Sequence, residues 1–164
     1  MEYLNDSVLI KIPNDLTRKL AVALKKAGLR EIGGILMGEH LSNKTFLIKD
    51  LTMQRHGGTF TSFIRAARVV IAPVRRFFKK TGYNYTRFNY LGEWHSHPSF
   101  SPSPSLNDCD TMWSIVEDPE VGAKFAVLMI VRLNGNKEVE GTATVFLPQR
   151  KFMAGTLLLE KGKV

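Results

Sequence analysis

The sequence predicts an α/β fold in which helices flank a mixed, largely antiparallel sheet. Segments with strand-like alternation and segments with helical spacing are interspersed, without the strict strand–helix–strand order typical of a parallel sheet. The dipeptide Asn134–Gly135 separates two apolar runs and is a strong hairpin signal, so the strands on either side are expected to pair antiparallel. The 164 residues are enough for a substantial core, and the prediction is a single domain over 1–164.

Six segments of alternating or continuous apolar character predict strands, and the tail predicts a seventh. They are 7–12, 31–38, 45–51, 88–94, 124–133, 138–147 and 151–160. The segment 31–38 is rich in glycine, which indicates a buried strand that another backbone or a ligand can approach closely. A hairpin-like connection is expected at 39–44 and a loop at 55–61.

Three segments with helical spacing predict helices at 13–27, 63–81 and 106–117. In the first, apolar residues recur every three or four positions, and Gly28 follows where a C-cap is expected. In the second, Pro73 is expected to kink the helix or to split it into two shorter ones.

The composition is that of an ordinary globular protein, with 44% hydrophobic and 23% charged residues. No apolar run approaches the roughly 18–20 residues that a membrane span requires. The acidic N-terminal stretch is unlike a secretory signal. The single cysteine, Cys109, can form neither an internal disulfide nor a cysteine-rich zinc site. These features predict a reduced, soluble, cytoplasmic protein.

The net charge of +8 is concentrated in one part of the chain. No Asp or Glu occurs over 51–92, whereas eight cations do: Arg55, Arg65, Arg68, Arg75, Arg76, Lys79, Lys80 and Arg87. One interpretation is a solvated helix face that aids solubility. The alternative is a surface for an anionic partner, either an acidic protein or a nucleic-acid backbone, although no recognised nucleic-acid-binding motif accompanies the charge.

The stretch GEWHSHPSFSPSPSLND at 92–108 carries the clearest chemical signal. Side chains alternate along a strand, so His95 and His97 are expected to face the same side. A proline-rich loop, which restricts the chain, then leads to Asp108 at the start of the next helix. Two imidazoles and a carboxylate form a plausible open zinc site, in which three protein ligands leave one position for water.

Two questions stay open at the level of spacing. Ser105-x-x-Asp108 resembles a capping box, so Asp108 is either a helix cap or a metal ligand. A hydrolytic site also requires a base, and the chain offers four candidate carboxylates: Glu31, Glu39, Glu93 and Glu117. Glu93 shares strand parity with the two histidines, and Glu31 begins the glycine-rich strand.

These residues together resemble the JAMM motif of the JAB/MPN metalloprotease family. Glu31 and the GILMG run at 34–38 are followed by the HSHP run at 95–98, and then by Ser105-x-x-Asp108. The pattern Glu…His-x-His-x10-Asp is matched without a gap, and the similarity extends from about 31 to 133. The resemblance implies a single JAB/MPN-like (cytidine-deaminase-like) metalloprotease domain.

The resemblance also implies a role for each residue of the motif. Zinc is expected to be held by His95, His97 and Asp108, with water as the fourth ligand. Glu31 is expected to be the general acid/base and Ser105 to stabilise the oxyanion. Glu93 is then expected to support the site or the fold rather than to act as the base.

Members of this family hydrolyse peptide or isopeptide bonds, commonly at the C-terminus of ubiquitin or a ubiquitin-like protein. The short prokaryotic members resemble deconjugases that work beside activating and conjugating enzymes, including those of antiphage cyclic-oligonucleotide signalling. The resemblance therefore implies a ubiquitin-like modifier or a conjugated nucleotidyltransferase-type protein as substrate, with its tail extended along a sheet edge. No membrane partner is expected.

Three alternatives accompany this hypothesis. The first is a catalytically silent scaffold of the same fold. The second is a nucleic-acid-binding module that uses the basic segment 55–87. The third makes Cys109 a nucleophile in the first turn of a helix, whereas its simpler interpretation is a small packing residue.

Overall fold

The computed structural model describes residues 7–54 and 67–161, with the side chains of 67–71 left undescribed. In this part of the chain seven strands and three helices follow one another. The strands are β1 (Leu9–Ile12), β2 (Gly33–Ser42), β3 (Thr45–Leu51), β4 (Phe88–Ser96), β5 (Ala126–Leu133), β6 (Val139–Leu147) and β7 (Lys151–Leu159). The helices are α1 (Asn14–Ala27), α2 (Ala67–Lys80) and α3 (Leu106–Val116).

The seven strands close into a barrel in the order β1-β3-β2-β4-β5-β6-β7. Closure depends on β1, which pairs in parallel with β3 on one side and with β7 on the other. The pair β4–β5 is also parallel, and the other four pairs are antiparallel. The predicted sheet flanked by helices is therefore wrong. The alternation of a short strand such as β1 shows which face is buried but not how many neighbours its backbone has.

The barrel wall carries apolar clusters on both of its faces, and each helix packs on one of these clusters. On one face, α1 contributes Leu20 and Leu24 to the largest core cluster, which also contains Trp94 of β4 and Met129 of β5. On the other face, α3 packs on the alternate residues of β5, and Phe77 of α2 packs on β2. Because β5 is buried on both sides, its sequence is continuously apolar instead of alternating.

Several local predictions are confirmed, and one of the two alternatives for Pro73 is excluded. The tail forms β7, and Gly28 caps α1 with φ +61°. The helix α2 continues through Pro73 to Lys80 and does not split there. The loop expected at 55–61 lies outside the described residues, as does the start of the segment expected to be helical from residue 63. None of the helices in the described ranges is long and apolar enough to cross a membrane.

Gly92 allows β4 to fit between its two neighbours. Its φ is +149°, and a Cβ atom there would lie 1.9 Å from the carbonyl oxygen of Val127 in β5. The β2–β4 register shifts at the same point, because Leu36 faces Gly92 whereas Met37 faces Tyr90. Such bulges re-aim the side chains that follow, and here the next residues of β4 lead to the two histidines.

We expect Gly92→Ala to lower the free energy of unfolding by about 2–4 kcal/mol, since the added methyl group must displace the backbone of β5. Chemical denaturation measures the change. Gly135→Ala is the matched control, because a Cβ at Gly135 meets no atom within 4 Å. Equal stability of the two variants would contradict this account of the close approach.

Candidate functional site

The two histidines lie at the end of β4, on the wall face covered by α3. His95 pairs with Gly33 of β2 and with Ile130 of β5, and the backbone N–H of His97 donates to the carbonyl of Val131 (3.0 Å). Both imidazoles are nearly buried, with 5% and 4% of the residue exposed. The expected shared face of the two side chains is confirmed, because the rings lie 4.8 Å apart between centroids.

Asp108 completes a compact group with the two imidazoles. His95 Nε2 lies 3.0 Å from His97 Nε2 and 3.6 Å from Asp108 Oδ1, and His97 Nε2 lies 4.0 Å from Asp108 Oδ2. One ligand atom from each residue lies within 4.8 Å of the others. Two nitrogen ligands of a tetrahedral zinc ion are roughly 3.3 Å apart. A triangle of this size and donor chemistry therefore fits a single zinc ion.

The orientation of His97 suits a ligand. Its Nδ1 lies 2.8 Å from the carbonyl oxygen of Ser101, which can only accept a hydrogen bond. Nδ1 must then carry the proton, so the lone pair of Nε2 faces His95 and Asp108. The ring of Phe100 packs on the imidazole at 4.1 Å between centroids and covers its outer side.

Asp108 serves both as a cap and as part of the buried group, with a different oxygen for each role. Oδ2 accepts from the backbone N–H and from the hydroxyl of Ser105, both at 2.8 Å, and Ser105 Oγ accepts from the N–H of Asp108. The capping box is therefore present, while Oδ1 is directed towards His95. The two interpretations of Asp108 left open by the sequence are compatible.

The carboxylate of Asp108 is ionised at neutral pH. Burial by itself would raise its pKa, but the interaction with the nearby His95 imidazole and the hydrogen bonds from Ser105 outweigh this effect and lower the pKa to about 2. An ionised carboxylate is the form that binds a metal ion. In this structure the hydroxyl of Ser105 donates to Asp108 Oδ2 and accepts from the backbone N–H of Asp108.

The chain just before β2 leads to Glu31, and its backbone continues the antiparallel pairing of β2 with β4. The N–H of Ile32 donates to the hydroxyl of Ser96 (3.0 Å), and the N–H of Ser96 donates to the carbonyl of Ile32 (2.8 Å). Since Gly33 faces His95, the same register continued by two residues places Glu31 opposite His97. Glu31 is exposed, so its carboxylate is open to solvent.

The other three candidate carboxylates are in different environments. Glu39 forms ion pairs with Arg87 (2.6 Å) and Lys49 (3.8 Å), and Glu117 caps the far end of α3. Glu93 lies on the histidine face but is only 2% exposed, and its Oε2 has no hydrogen-bond partner among the described residues. Burial raises the pKa of Glu93 to about 8, which favours the protonated carboxyl over the carboxylate that a general base requires.

Two further features from the sequence are not part of this group. Cys109 is half-buried against the α3 cluster, and burial followed by the charges of Asp108 and Asp110 raises its pKa, which disfavours a thiolate nucleophile. On α2, four of the cations are exposed: Arg75, Arg76, Lys79 and Lys80. Arg55, Arg65 and the side chain of Arg68 lie outside the described residues.

Some of the groups that support the site have no recognisable signal in the sequence. The carbonyl of Ser101 orients His97, and Arg132 of β5 donates to the carbonyl of Phe100 at 3.1 Å. Every residue has a main-chain carbonyl, so the amino-acid sequence does not show which carbonyl accepts a hydrogen bond from the site. Ser96 lies between the two histidines in the sequence, but no motif predicts that its hydroxyl accepts a hydrogen bond from the N–H of Ile32.

Comparison with known proteins gives one family and several structural neighbours. The family described as prokaryotic homologs of the JAB domain matches residues 13–145. A protein of Enterobacter hormaechei subsp. hoffmannii named CD-NTase/cGAS isopeptidase is 31% identical over 125 residues, which cover 74% of this chain and 66% of that protein. The alignment thus spans just under two thirds of that relative.

Two solution structures are similar in fold. Protein DSY2949 from Desulfitobacterium hafniense has a TM-score of 0.59 at 14% identity, with 93% of this chain and 94% of that chain covered. A protein from Salinibacter ruber has a TM-score of 0.50 at 17% identity, with 93% of each chain covered. At these identities the likeness extends to the fold alone.

We expect Ser105→Ala to lower the free energy of unfolding by about 1 kcal/mol, because it removes the hydroxyl that caps α3. Thermal or chemical unfolding of the metal-free protein measures the loss. Ser105→Thr retains the hydroxyl and is expected to restore most of the stability. A Ser105→Ala variant as stable as the wild type would show that the cap contributes little.

Proposed function

The chain belongs to the family of prokaryotic homologs of the JAB domain, and on this premise we propose that it is a zinc-dependent isopeptidase or peptidase. The observation that carries the proposal is the group formed by His95, His97 and Asp108, whose ligand atoms lie within 4.8 Å of one another. The proposed reaction is hydrolysis of the bond after the C-terminus of a ubiquitin-like modifier or of a similarly conjugated protein.

The three residues would hold the ion through His95 Nε2, His97 Nε2 and Asp108 Oδ1. The hydrogen bond of His97 Nδ1 to Ser101 O and the hydrogen bonds to Asp108 Oδ2 engage the other polar atoms of these two side chains. His97 Nε2 and Asp108 Oδ1 therefore remain directed towards His95 Nε2. When bound, zinc supplies a Lewis acid for the scissile carbonyl and lowers the pKa of a coordinated water.

The remaining steps belong to side chains of this chain. The exposed carboxylate of Glu31, opposite His97, accepts the proton of the attacking water and returns it to the leaving amine. The hydroxyl of Ser105 donates a hydrogen bond to the oxygen of the tetrahedral intermediate. That hydroxyl donates a hydrogen bond to Asp108 Oδ2 in this structure, so it must rotate away from Asp108 during the reaction. The backbone N–H of Ser105 also donates to Oδ2 and keeps this oxygen in place.

The substrate proposal rests on the relative named CD-NTase/cGAS isopeptidase. We propose a CD-NTase-type protein, conjugated through its C-terminus, as the substrate of this chain. Activating and conjugating enzymes of the same antiphage system would supply the conjugate. A ubiquitin-like modifier is the second substrate to test.

We expect the purified protein to bind about one zinc ion per chain and to lose it in His95→Ala and Asp108→Ala, because each variant removes one of three protein ligands. Elemental analysis after dialysis measures the zinc content. His40→Ala is the matched control, since His40 lies on β2 against Phe46, outside the buried group. Zinc at wild-type content in both site variants would refute this ligand set.

We expect Glu31→Gln to keep its zinc and to lose cleavage by at least about 100-fold, since the amide cannot accept a proton. The assay follows release of a fluorescent protein fused to the C-terminus of a CD-NTase-type nucleotidyltransferase, and in parallel to that of a ubiquitin-like protein. A chelator should abolish wild-type cleavage, and added zinc should restore it.

Glu93→Gln is the control for the identity of the base. The amide is isosteric with the protonated carboxyl that the buried position favours, so this variant is expected to fold and to retain most of the activity. Full activity in Glu31→Gln, or loss of activity in Glu93→Gln alone, would overturn the assignment of Glu31. A wild-type chain that binds zinc but cleaves neither fusion would support the silent scaffold instead.

A further inference from the structure

Three consecutive carbonyl groups in the loop between β4 and α3 each accept a hydrogen bond. The guanidinium of Arg132 donates to Phe100 O at 3.1 Å, the imidazole of His97 donates to Ser101 O at 2.8 Å, and the hydroxyl of Thr142 donates to Pro102 O. The carbonyl that orients His97 is therefore anchored through both of its sequence neighbours. Prolines at 98, 102 and 104 limit how far the backbone between these anchors can move.

The outer two contacts come from one surface of the β5–β6 hairpin, which we call the loop clamp (Arg132, Glu140 and Thr142). Arg132 is directly opposite Glu140 in the strand register, and Thr142 is two residues further along β6, so all three side chains lie on the same face. Arg132 Nε donates to Glu140 Oε1 at 2.7 Å, which fixes the guanidinium while Nη1 reaches the loop. The side chain of Arg132 is 34% exposed, so the ion pair itself is expected to add little stability.

We propose that the loop clamp is a positioning device for the metal centre, an inference that rests on the ligand set given under the proposed function. By anchoring Phe100 O and Pro102 O, the clamp holds Ser101 O at the distance that keeps the proton on His97 Nδ1. His97 Nε2 then faces His95 and Asp108. Without the clamp the Ser101 carbonyl is free to turn towards water, and the imidazole loses the acceptor that selects its tautomer.

The packing of Phe100 supports the same role. Its ring lies on the imidazole of His97 with 4.1 Å between centroids, and its carbonyl is the group that Arg132 binds. Arg132 therefore fixes the backbone of Phe100, which covers His97 with its ring and directly precedes Ser101 in the chain. Both effects act on His97 through the loop, so Arg132 is a positioning residue that does not touch the reacting atoms.

The test compares Arg132→Gln and Thr142→Val, which each remove one anchor, with the wild type and with Lys137→Gln. Lys137 is an exposed cation in the turn of the same hairpin, so its substitution controls for the loss of positive charge. Zinc affinity is measured by competition with a chromophoric chelator. The protonated nitrogen of His97 is determined in the metal-free proteins by long-range ¹⁵N NMR, and thermal unfolding confirms that each variant is folded.

We expect Arg132→Gln to weaken zinc binding about 10–100-fold and to populate the Nε2–H tautomer of His97, which is the usual size of effect for a group that orients a metal ligand. Thr142→Val should act in the same direction, and Arg132→Lys should fall between the wild type and Arg132→Gln because one ammonium cannot replace the planar fork. Lys137→Gln should match the wild type in both measurements.

The inference is overturned if folded Arg132→Gln and Thr142→Val bind zinc as tightly as the wild type and keep the Nδ1–H tautomer. If Arg132→Gln does not fold, Thr142→Val alone decides. If the wild type binds no zinc, the proposed ligand set fails, and the tautomer of metal-free His97 still shows whether the clamp acts. The two failures are thus distinguishable.

Discussion

The pairing of β4 with β2 on one side and β5 on the other is the constraint on which the site depends. The antiparallel register of β4 with β2 places the start of β2 opposite the histidines, and this register continued by two residues leads to Glu31. The parallel register of β4 with β5 sets the depth of His95 and His97 in the wall, where both are nearly buried. Gly92 permits this double pairing because no side chain fits between it and Val127.

The second element of the site is the start of α3, whose position is set by short-range hydrogen bonds. Ser105 and Asp108 satisfy each other's backbone and side-chain groups, so the helix begins at a fixed point. One carboxylate oxygen is used in the cap and the other is left for the histidines. A single acidic residue thereby links the local stability of a helix to the chemistry of the buried group.

The loop between β4 and α3 joins these two elements, and its conformation depends on a third part of the barrel. Hydrogen bonds from β5 and β6 hold the carbonyls on either side of Ser101, whose own carbonyl accepts from His97. Buried imidazoles require partners of defined geometry, because an unsatisfied polar group in the interior is costly. The orientation of His97 is thus a property of the closed wall as well as of its own strand.

The sequence by itself determined the features that arise within a few residues of one another. Strand alternation placed His95 and His97 on one face, the Ser105-x-x-Asp108 spacing specified the cap, and the resemblance singled out Glu31. The closure of the barrel through β1, the opposite environments of Glu31 and Glu93, and the contacts of Arg132 with the loop were decided only in the tertiary structure. Periodicity and capping are short-range effects and are visible in a linear pattern. The partners of a strand edge, the burial of a carboxyl group and the donor that reaches a main-chain carbonyl depend on segments distant in sequence, whose proximity exists only in the folded chain.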